Sequence, residues 1–319
     1  MTNVIRIHEN GGPEVMKWEN ADVGSPESGQ VRIRQTAVGL NFIDCYHRSG
    51  LYPLPSLPAI IGTEASGVIE EIGADVTGLS IGQRVAYAPM LGAYAEERLI
   101  PAAKLIAIPE GVTDEQAASM MLQGMTARFL IKRTYAVQSG DTILIHAAAG
   151  GVGSIVCQWA KHLGATVIGT VGSDEKAEMA KANGCDYPIV YTRESFKDRV
   201  MEITDGKGLP VVYDSIGKDT YEDSTDCLRP LGTLVTFGNA SGPVPPVDPS
   251  ILMGKGSLFF TRPSLMHYTG QRQDLEDSAN DLFDVVTNGH VKVAVNQTYA
   301  LKDAAQAHID LEARKTTGS

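Results

Sequence analysis

The sequence predicts an α/β protein: a β-rich segment over residues 1–123, followed from about residue 125 by a doubly wound parallel sheet. Three observations carry that expectation. Short apolar runs broken by Gly and Pro fill the first part. Strands alternate with helices of ~10–15 residues in the second, the rhythm of parallel βαβ units covered on both faces. A glycine-rich turn, HAAAGGVGS at 146–154, lies where the first of these strands meets the first helix. At 319 residues the chain is long for one core and typical of two.

Taken in order, VIRI, QVRIRQTAVGL, SGVIEEIG, QRVAYAP and AYAEERLI are the apolar runs of the β-rich part. TILIHAA then reads as a strand, SIVCQWAKHLG as a helix, ATVIGTV as a strand and DEKAEMAKANG as a helix. The alternation continues through PIVY, ESFKDRVMEIT, PVVYDSIG, TYEDSTDCL and GTLVTFG. In the first helix Val156, Ala160 and Leu163 share a face, and Gly164 stands where a left-handed cap belongs. Ser173 is a natural N-cap for the second helix, with Asp174 and Glu175 in its first turn, and Gly184 closes it. After SLFFTRPS come a helix near 273–288, a strand VKVAV and a helix LKDAAQAHIDLEAR. Periodicity leaves open whether this last part returns to the first domain or forms a third layer. No repeat of 20–50 residues is present.

Composition narrows the function class. With 43% apolar and 20% charged residues the chain is an ordinary soluble globular protein, and no apolar run approaches the ~20 residues that span a bilayer. The N-terminal MTNVIRIHENGG is no secretion signal. A net charge of −11 argues against nucleic acid or an anionic membrane as partner. Cys45, Cys157, Cys185 and Cys227 lie far apart with no C-x-x-C, so reduced, buried thiols in a cytoplasmic protein are expected rather than a zinc knot or a disulfide framework.

The glycine-rich turn is a phosphate cradle. The dinucleotide pattern G-x-G-x-x-G becomes Ala148-x-Gly150-x-x-Gly153, with Gly151 added. Small residues let the backbone approach a pyrophosphate, and the helix N-terminus offers N–H groups and a positive dipole end. An NAD site usually carries Asp or Glu about 20 residues further on, for the ribose 2′-OH. Here the second strand ends in TVGSDEK. Gly172 leaves room, Ser173 donates and Lys176 supplies charge, which suits a 2′-phosphate and hence NADPH. Asp174 and Glu175 run against this, although first-turn positions often point to solvent. Elsewhere LNFIDCYHRSG, residues 40–50, gathers Asp44, Cys45 and His47. By itself that stretch reads as half a metal site, a nucleophile with its base, or neither.

GPEV near the N-terminus, NFID at 41–44, RSGLYP at 48–53, GTEASGVI at 62–69, HAAAGGVG, VVYDSIG, FGNASGPV and KGSLFFTRPSL together resemble the quinone oxidoreductases. The branch is the zinc-independent, zeta-crystallin-like one of the medium-chain dehydrogenase/reductase superfamily, and the resemblance covers nearly the whole chain. It implies a Rossmann NADPH-binding domain over 125–262 and a GroES-like catalytic domain from 1–124 and 263–319. It also implies a homodimer pairing near SLFFTRPS. Zinc-using relatives carry Cys at the position of Asn41, His at Thr63 and a further Cys near Gln123. The resemblance therefore implies no metal, and Cys45 and His47 become packing or surface residues.

By the same resemblance Asn41, Asp44 and Tyr46 lie beside the nicotinamide end of the cofactor, and Thr126 and Phe129 line the same groove. Gly150, Gly151 and Val152 carry the pyrophosphate; Gly172, Ser173, Lys176 and Tyr191 hold the 2′-phosphate region. Ile216, Phe237, Gly238, Asn239 and Ser241 continue the channel. Pro263, Ser264 and Leu265 complete it, and Arg314 reaches a phosphate. Similar proteins run past the final KTTGS into one more short apolar strand; if the chain ends at KTTGS, the catalytic domain lacks an edge strand and Arg314 is less firmly placed. The implied reaction is hydride transfer from NADPH to a quinone, with Asn41, Tyr46 and Tyr52 as candidate catalytic residues. Reduced quinone carries its charge on oxygen, so no strong general acid is needed; positioning the two rings does most of the work. Two rivals stand beside it. One is an NADPH-dependent reductase of α,β-unsaturated carbonyls, including enoyl thioesters, which must protonate carbon and would use Tyr46. The other is a non-catalytic NADPH-binding protein, whether sensor, structural reserve or RNA binder, the last disfavoured by the acidic balance.

Overall fold

Apolar alternation in the first region becomes antiparallel pairing. The computed structural model describes residues 1–318, and the chain divides into two compact units. One comprises Met1–Met125, Thr269–Phe283 and the chain from Val293; the other comprises Thr126–Tyr268 and Asp284–Lys292. The first unit contains β1 (Thr2–Ile7), β2 (Met16–Ala21), β3 (Gln30–Val38), α1 (Phe42–Ser49), β4 (Ala59–Ile60) and β5 (Ala65–Ile72). It continues with β6 (Arg84–Tyr87), β7 (Glu97–Pro101), β8 (Ile106–Ala107) and most of α2 (Asp114–Phe129). Its strands form sheets ordered β2-β1-β4 and β7-β3-β5-β6-β8, with every pairing antiparallel. Val31 and Ile33 on β3 alternate into one core with Ile69 on β5 and Val85 on β6, as the two-residue side-chain period requires.

The second unit is the repeated βαβ region: β9 (Thr142–Ile145), α3 (Gly151–His162), β10 (Thr166–Val171), α4 (Asp174–Ala182), β11 (Tyr187–Val190) and α5 (Phe196–Ile203). Then follow β12 (Leu209–Asp214), α6 (Tyr221–Asp226), β13 (Leu228–Thr236), α7 (Pro249–Gly254), β14 (Phe259–Thr261) and α8 (Leu265–Tyr268). The six strands are parallel in the order β11-β10-β9-β12-β13-β14. Strands covered on both faces cannot alternate, and Ile143, Leu144, Ile145, Val211, Val212 and Tyr213 are all fully buried. Each such aliphatic side chain contributes ~1.5–3 kcal/mol by leaving water. The chain order reverses between β9 and β12, and ligands of such sheets bind beyond the carboxyl ends at that reversal. Gly164 and Gly184 take the left-handed backbone expected of helix caps, at φ +86° and +87°.

Two expectations are corrected. VKVAV, residues 291–295, is no strand. The Val291 N–H bonds back to the Val285 carbonyl at 2.9 Å, closing α9 (Arg272–Thr287), and among the described residues no neighbouring chain forms a ladder with the segment. Alternation alone does not make a strand without a partner for its N–H and C=O groups. The final helix is also shorter than LKDAAQAHIDLEAR: a 3-10 turn at Leu301–Asp303 leads into α10 (Ala304–Glu312). In addition, α2 falls in and beyond a segment read only as β-rich. Ala117, Ala118, Met120, Met121 and Met125 are all buried, and the polar Gln123 and Arg128 with them, so apolar residues alone trace no narrow single-sided period to read.

Candidate functional site

In the first unit the chemistry gathers where α1 begins. Asn41 is its N-cap, and the carboxylate of Asp44, three residues on, accepts the Asn41 N–H at 2.9 Å. Asp44 is fully buried. The same oxygen accepts from the Tyr94 hydroxyl at 3.3 Å, and the other accepts from the Thr63 hydroxyl at 2.8 Å. Burial pushes its pKa up to about 7, against the pull of these hydrogen bonds. The Asn41 amide donates to Glu64 Oε1 at 2.6 Å and accepts from Gln123 Nε2 at 3.2 Å. Glu64 Oε2 takes the Leu122 N–H at 2.7 Å. Burial, with a smaller addition from the Asp44 charge, raises Glu64 to about 8.

Behind Asp44 runs a chain of contacts that the sequence did not announce. Arg48 Nη1 meets His308 Nδ1 at 2.8 Å, and His308 Nε2 meets the Tyr94 hydroxyl at 2.9 Å. Arginine only donates, so Nδ1 accepts, Nε2 carries the proton, and Tyr94 passes its own hydrogen to Asp44. Burial and the Arg48 charge bring His308 down to about 3. Arg48 also pairs with Glu312 at 2.7 Å, joining α1 to α10.

Cys45 and His47 do not form a nucleophile–base pair. Cys45 Sγ lies 3.4 Å from His308 Nδ1, and burial, reinforced by Glu312, pushes its thiol up to about 12. His47 stands edge-on to Tyr52, and its buried Nδ1 has no hydrogen-bond partner among the described residues. Tyr46 and Tyr52 are brought together, rings 5.1 Å apart and half-buried. Among the described residues no three His, Cys, Asp or Glu side chains are placed to hold a metal.

In the second unit the predicted residues collect at the carboxyl ends of the strands. Ala147, not Ala148, adopts the left-handed backbone, at φ +55°; Gly150 caps α3 in an extended conformation. A Cβ on Gly153 would lie 2.2 Å from the Ala147 carbonyl, so only glycine lets α3 start this close to β9. Gly151 and Val152 open that helix, whose first N–H groups have no acceptor within it. At the end of β10, a Cβ on Gly172 would sit 3.1 Å from the Tyr191 hydroxyl, and the Tyr191 N–H bonds to Val171 at 3.2 Å. Ser173 caps α4 by accepting the Lys176 N–H at 3.3 Å. The Asp174 carboxylate is held by both terminal nitrogens of Arg193, at 2.8 and 2.7 Å. Arg193 was missed because nothing in TRES ties it to a residue on another strand–helix turn.

Beyond β12, buried Asp214 organises the next loop. Its Oδ1 accepts the Ile216 and Gly217 N–H groups at 2.8 and 3.0 Å, and its Oδ2 the Thr220 and Ser224 hydroxyls at 2.8 and 3.2 Å. Ser224 in turn meets His146 Nε2 at 2.9 Å, and His146 Nδ1 meets Thr170 at 2.9 Å. The Ile216 carbonyl receives both the N–H and the hydroxyl of Ser241 at 2.9 Å, while the Phe237 N–H bonds to the Asp214 carbonyl at 2.7 Å. Arg262 donates to Gly238 at 3.1 Å, and the Asn239 carbonyl accepts the Gly242 N–H at 3.0 Å. Pro263 and Ser264 follow β14, and Leu265 opens α8. Thr126 and Phe129 lie on α2, the Phe129 ring stacked on Tyr268 at 4.5 Å. Arg314, exposed just past α10 with φ +59°, belongs to the first unit.

The chain matches two family models: "Alcohol dehydrogenase GroES-like domain" over residues 27–110 and "Zinc-binding dehydrogenase" over residues 151–284. It is 49% identical to a quinone oxidoreductase of Pseudomonas aeruginosa, across 100% of this chain and 98% of that one. It is likewise 49% identical to a 2-haloacrylate reductase of a Burkholderia species, across 98% of this chain and 96% of that one. The crystal structure of Escherichia coli quinone oxidoreductase complexed with NADPH superimposes with a TM-score of 0.97 at 46% identity, covering 99% and 98% of the two chains.

Proposed function

The chain belongs to the quinone oxidoreductases of the medium-chain dehydrogenase/reductase superfamily, and from that membership we propose how its own residues serve the reaction. It is an NADPH-dependent oxidoreductase acting on quinones, with a Rossmann sheet in one unit and a GroES-like antiparallel part in the other. Bound NADPH supplies the hydride. The residues fit that cofactor: Gly153 lets α3 start close against the Ala147 carbonyl and Gly172 lets Tyr191 close on the end of β10, the first turn of α3 presents N–H donors to a pyrophosphate, and Ser173, Lys176 and Tyr191 surround the place for a 2′-phosphate. The carrying observation is this set of small and donor residues at the carboxyl edge of one parallel sheet, in a chain that matches quinone oxidoreductases from end to end.

In our reading Ile216 and the loop Phe237–Ser241 hold the coenzyme further along, followed by Pro263 to Leu265, with Arg314 as a phosphate ligand. Asn41, Asp44 and Tyr46 face the nicotinamide end, together with Thr126 and Phe129. The working division is a catalytic domain from 1–124 and 263–319 and a coenzyme domain from 125–262, in a cytoplasmic protein. Tyr46 and Tyr52 donate hydrogen bonds to a quinone oxygen. Zinc plays no part: where zinc-using relatives carry Cys, His and Cys this chain has an amide, a hydroxyl and an amide, poor donors to zinc. The remaining carboxylate, Glu64, has both oxygens occupied by Asn41 and Leu122. A homodimer forms along β14, the edge strand of the six-stranded sheet, where Phe259 is 60% and nearby Met253 71% exposed.

A second reading is reduction of an activated C=C bond, favoured by the likeness to the 2-haloacrylate reductase. That reaction protonates carbon and asks Tyr46 for the proton. A panel of quinones and enones, assayed with NADPH and with NADH on protein of measured metal content, separates the two. Turnover of quinones with NADPH in metal-free protein is expected. Turnover confined to enones, or dependence on stoichiometric zinc, refutes the first reading.

A further inference from the structure

We propose that Arg193 is a specificity-determining residue: by neutralising Asp174 it lets the first turn of α4 accept the 2′-phosphate of NADPH. The inference rests on the NADPH reading above. An acidic residue in this turn is the difficulty for that reading, because a carboxylate beside the adenosine ribose favours a 2′-hydroxyl and repels a phosphate. The Asp174 carboxylate does not stand alone. Both of its oxygens are gripped by the Arg193 guanidinium, at 2.7 and 2.8 Å, the bidentate geometry that arginine and carboxylate share.

The pair is built into the same platform as the phosphate residues. The segment carrying Arg193 leaves β11 and lies over the end of β10, where Tyr191 N–H bonds to Val171 and the Thr192 hydroxyl lies 3.5 Å from the Gly172 carbonyl. Tyr191 closes on Gly172, and Arg193, two residues later, reaches Asp174, next to the N-cap Ser173. Both side chains are largely exposed, 58% and 73%, so the ion pair contributes little to stability. Its consequence is electrostatic: a local charge that would be negative is cancelled at the position where a doubly charged phosphate arrives.

Calorimetric titration of NADPH and NADH into wild type, Arg193→Ala, Asp174→Ala and the double variant tests this. Arg193→Ala is expected to weaken NADPH by about three- to tenfold at low salt, and NADH by less than about twofold. Asp174→Ala should bind NADPH at least as tightly as wild type, and the double variant should match it. Equal loss in Arg193→Ala and in the double variant would mean that Arg193 acts on phosphate directly, and the inference fails. Equal weakening of both coenzymes, or no change at all, also overturns it. Lys176→Ala serves as the comparator. If it abolishes the preference for NADPH while the Arg193 series is silent, the phosphate platform stands and only this inference falls. If wild type binds both coenzymes alike, the NADPH reading itself is wrong.

Discussion

Asp44 and Glu64 are two fully buried carboxyls with no ion-pair partner among the described residues, held by donors from Asn41, Thr63, Tyr94 and Leu122. Both are raised above their ordinary values, to about 7 and about 8. The folded chain therefore retains protons that the unfolded chain gives up, and stability is lost as pH rises through the folded pKa values. His308, lowered to about 3, acts in the opposite sense between about pH 3 and its unfolded value, where stability rises with pH. Asp44→Asn isolates one term, since the amide can accept from Asn41 and Tyr94 and donate to Thr63. Relative to wild type, the variant should gain stability between about pH 5 and 7, by at most ~1.4 kcal/mol per pH unit. The His308 contribution cancels in that difference. Urea denaturation at the two pH values measures it; a constant difference would mean that Asp44 is ionised throughout.

At the scale of elements, the junction of β9 and α3 decides whether the coenzyme domain works. Its tightness depends on Gly153, where a Cβ would meet the Ala147 carbonyl at 2.2 Å, whereas at Gly150 the same atom would stand off at 3.3 Å. Gly153→Ala should thus cost about 1–3 kcal/mol through forced displacement of the helix and weaken NADPH, with Gly150→Ala milder on both counts. Thermal melts and coenzyme fluorescence check the order; equal effects at the two sites would contradict this packing. Helix α2 and the segment VKVAV mark the opposite limits of pattern reading. The helix is buried over most of its circumference and shows no clear period, while the segment shows a strand's period but, among the described residues, joins no ladder.

For the whole molecule the open question is association. Strand β14 ends the parallel sheet with unpaired backbone groups on one side among the described residues, and exposed edges of this kind invite pairing. Phe259 on that strand is 60% exposed. Sedimentation should find a dimer for the wild type and a monomer for Phe259→Asp, with each chain still folded by circular dichroism. A wild-type monomer would dismiss pairing along β14.

The βαβ alternation, the glycine turn, the Ser173 cap and the order of family motifs were legible in the sequence because each depends on residues close together along the chain. Periodicity and turn chemistry are local properties, and local properties survive in a string of letters. The Arg48–His308–Tyr94–Asp44 chain joins α1 to a histidine 260 residues away from Arg48, and Arg193 finds Asp174 only because β10 and β11 lie side by side. Such partnerships, and with them the protonation of buried groups, were decided by tertiary structure alone, since burial and distance are set by packing that no short window of sequence contains.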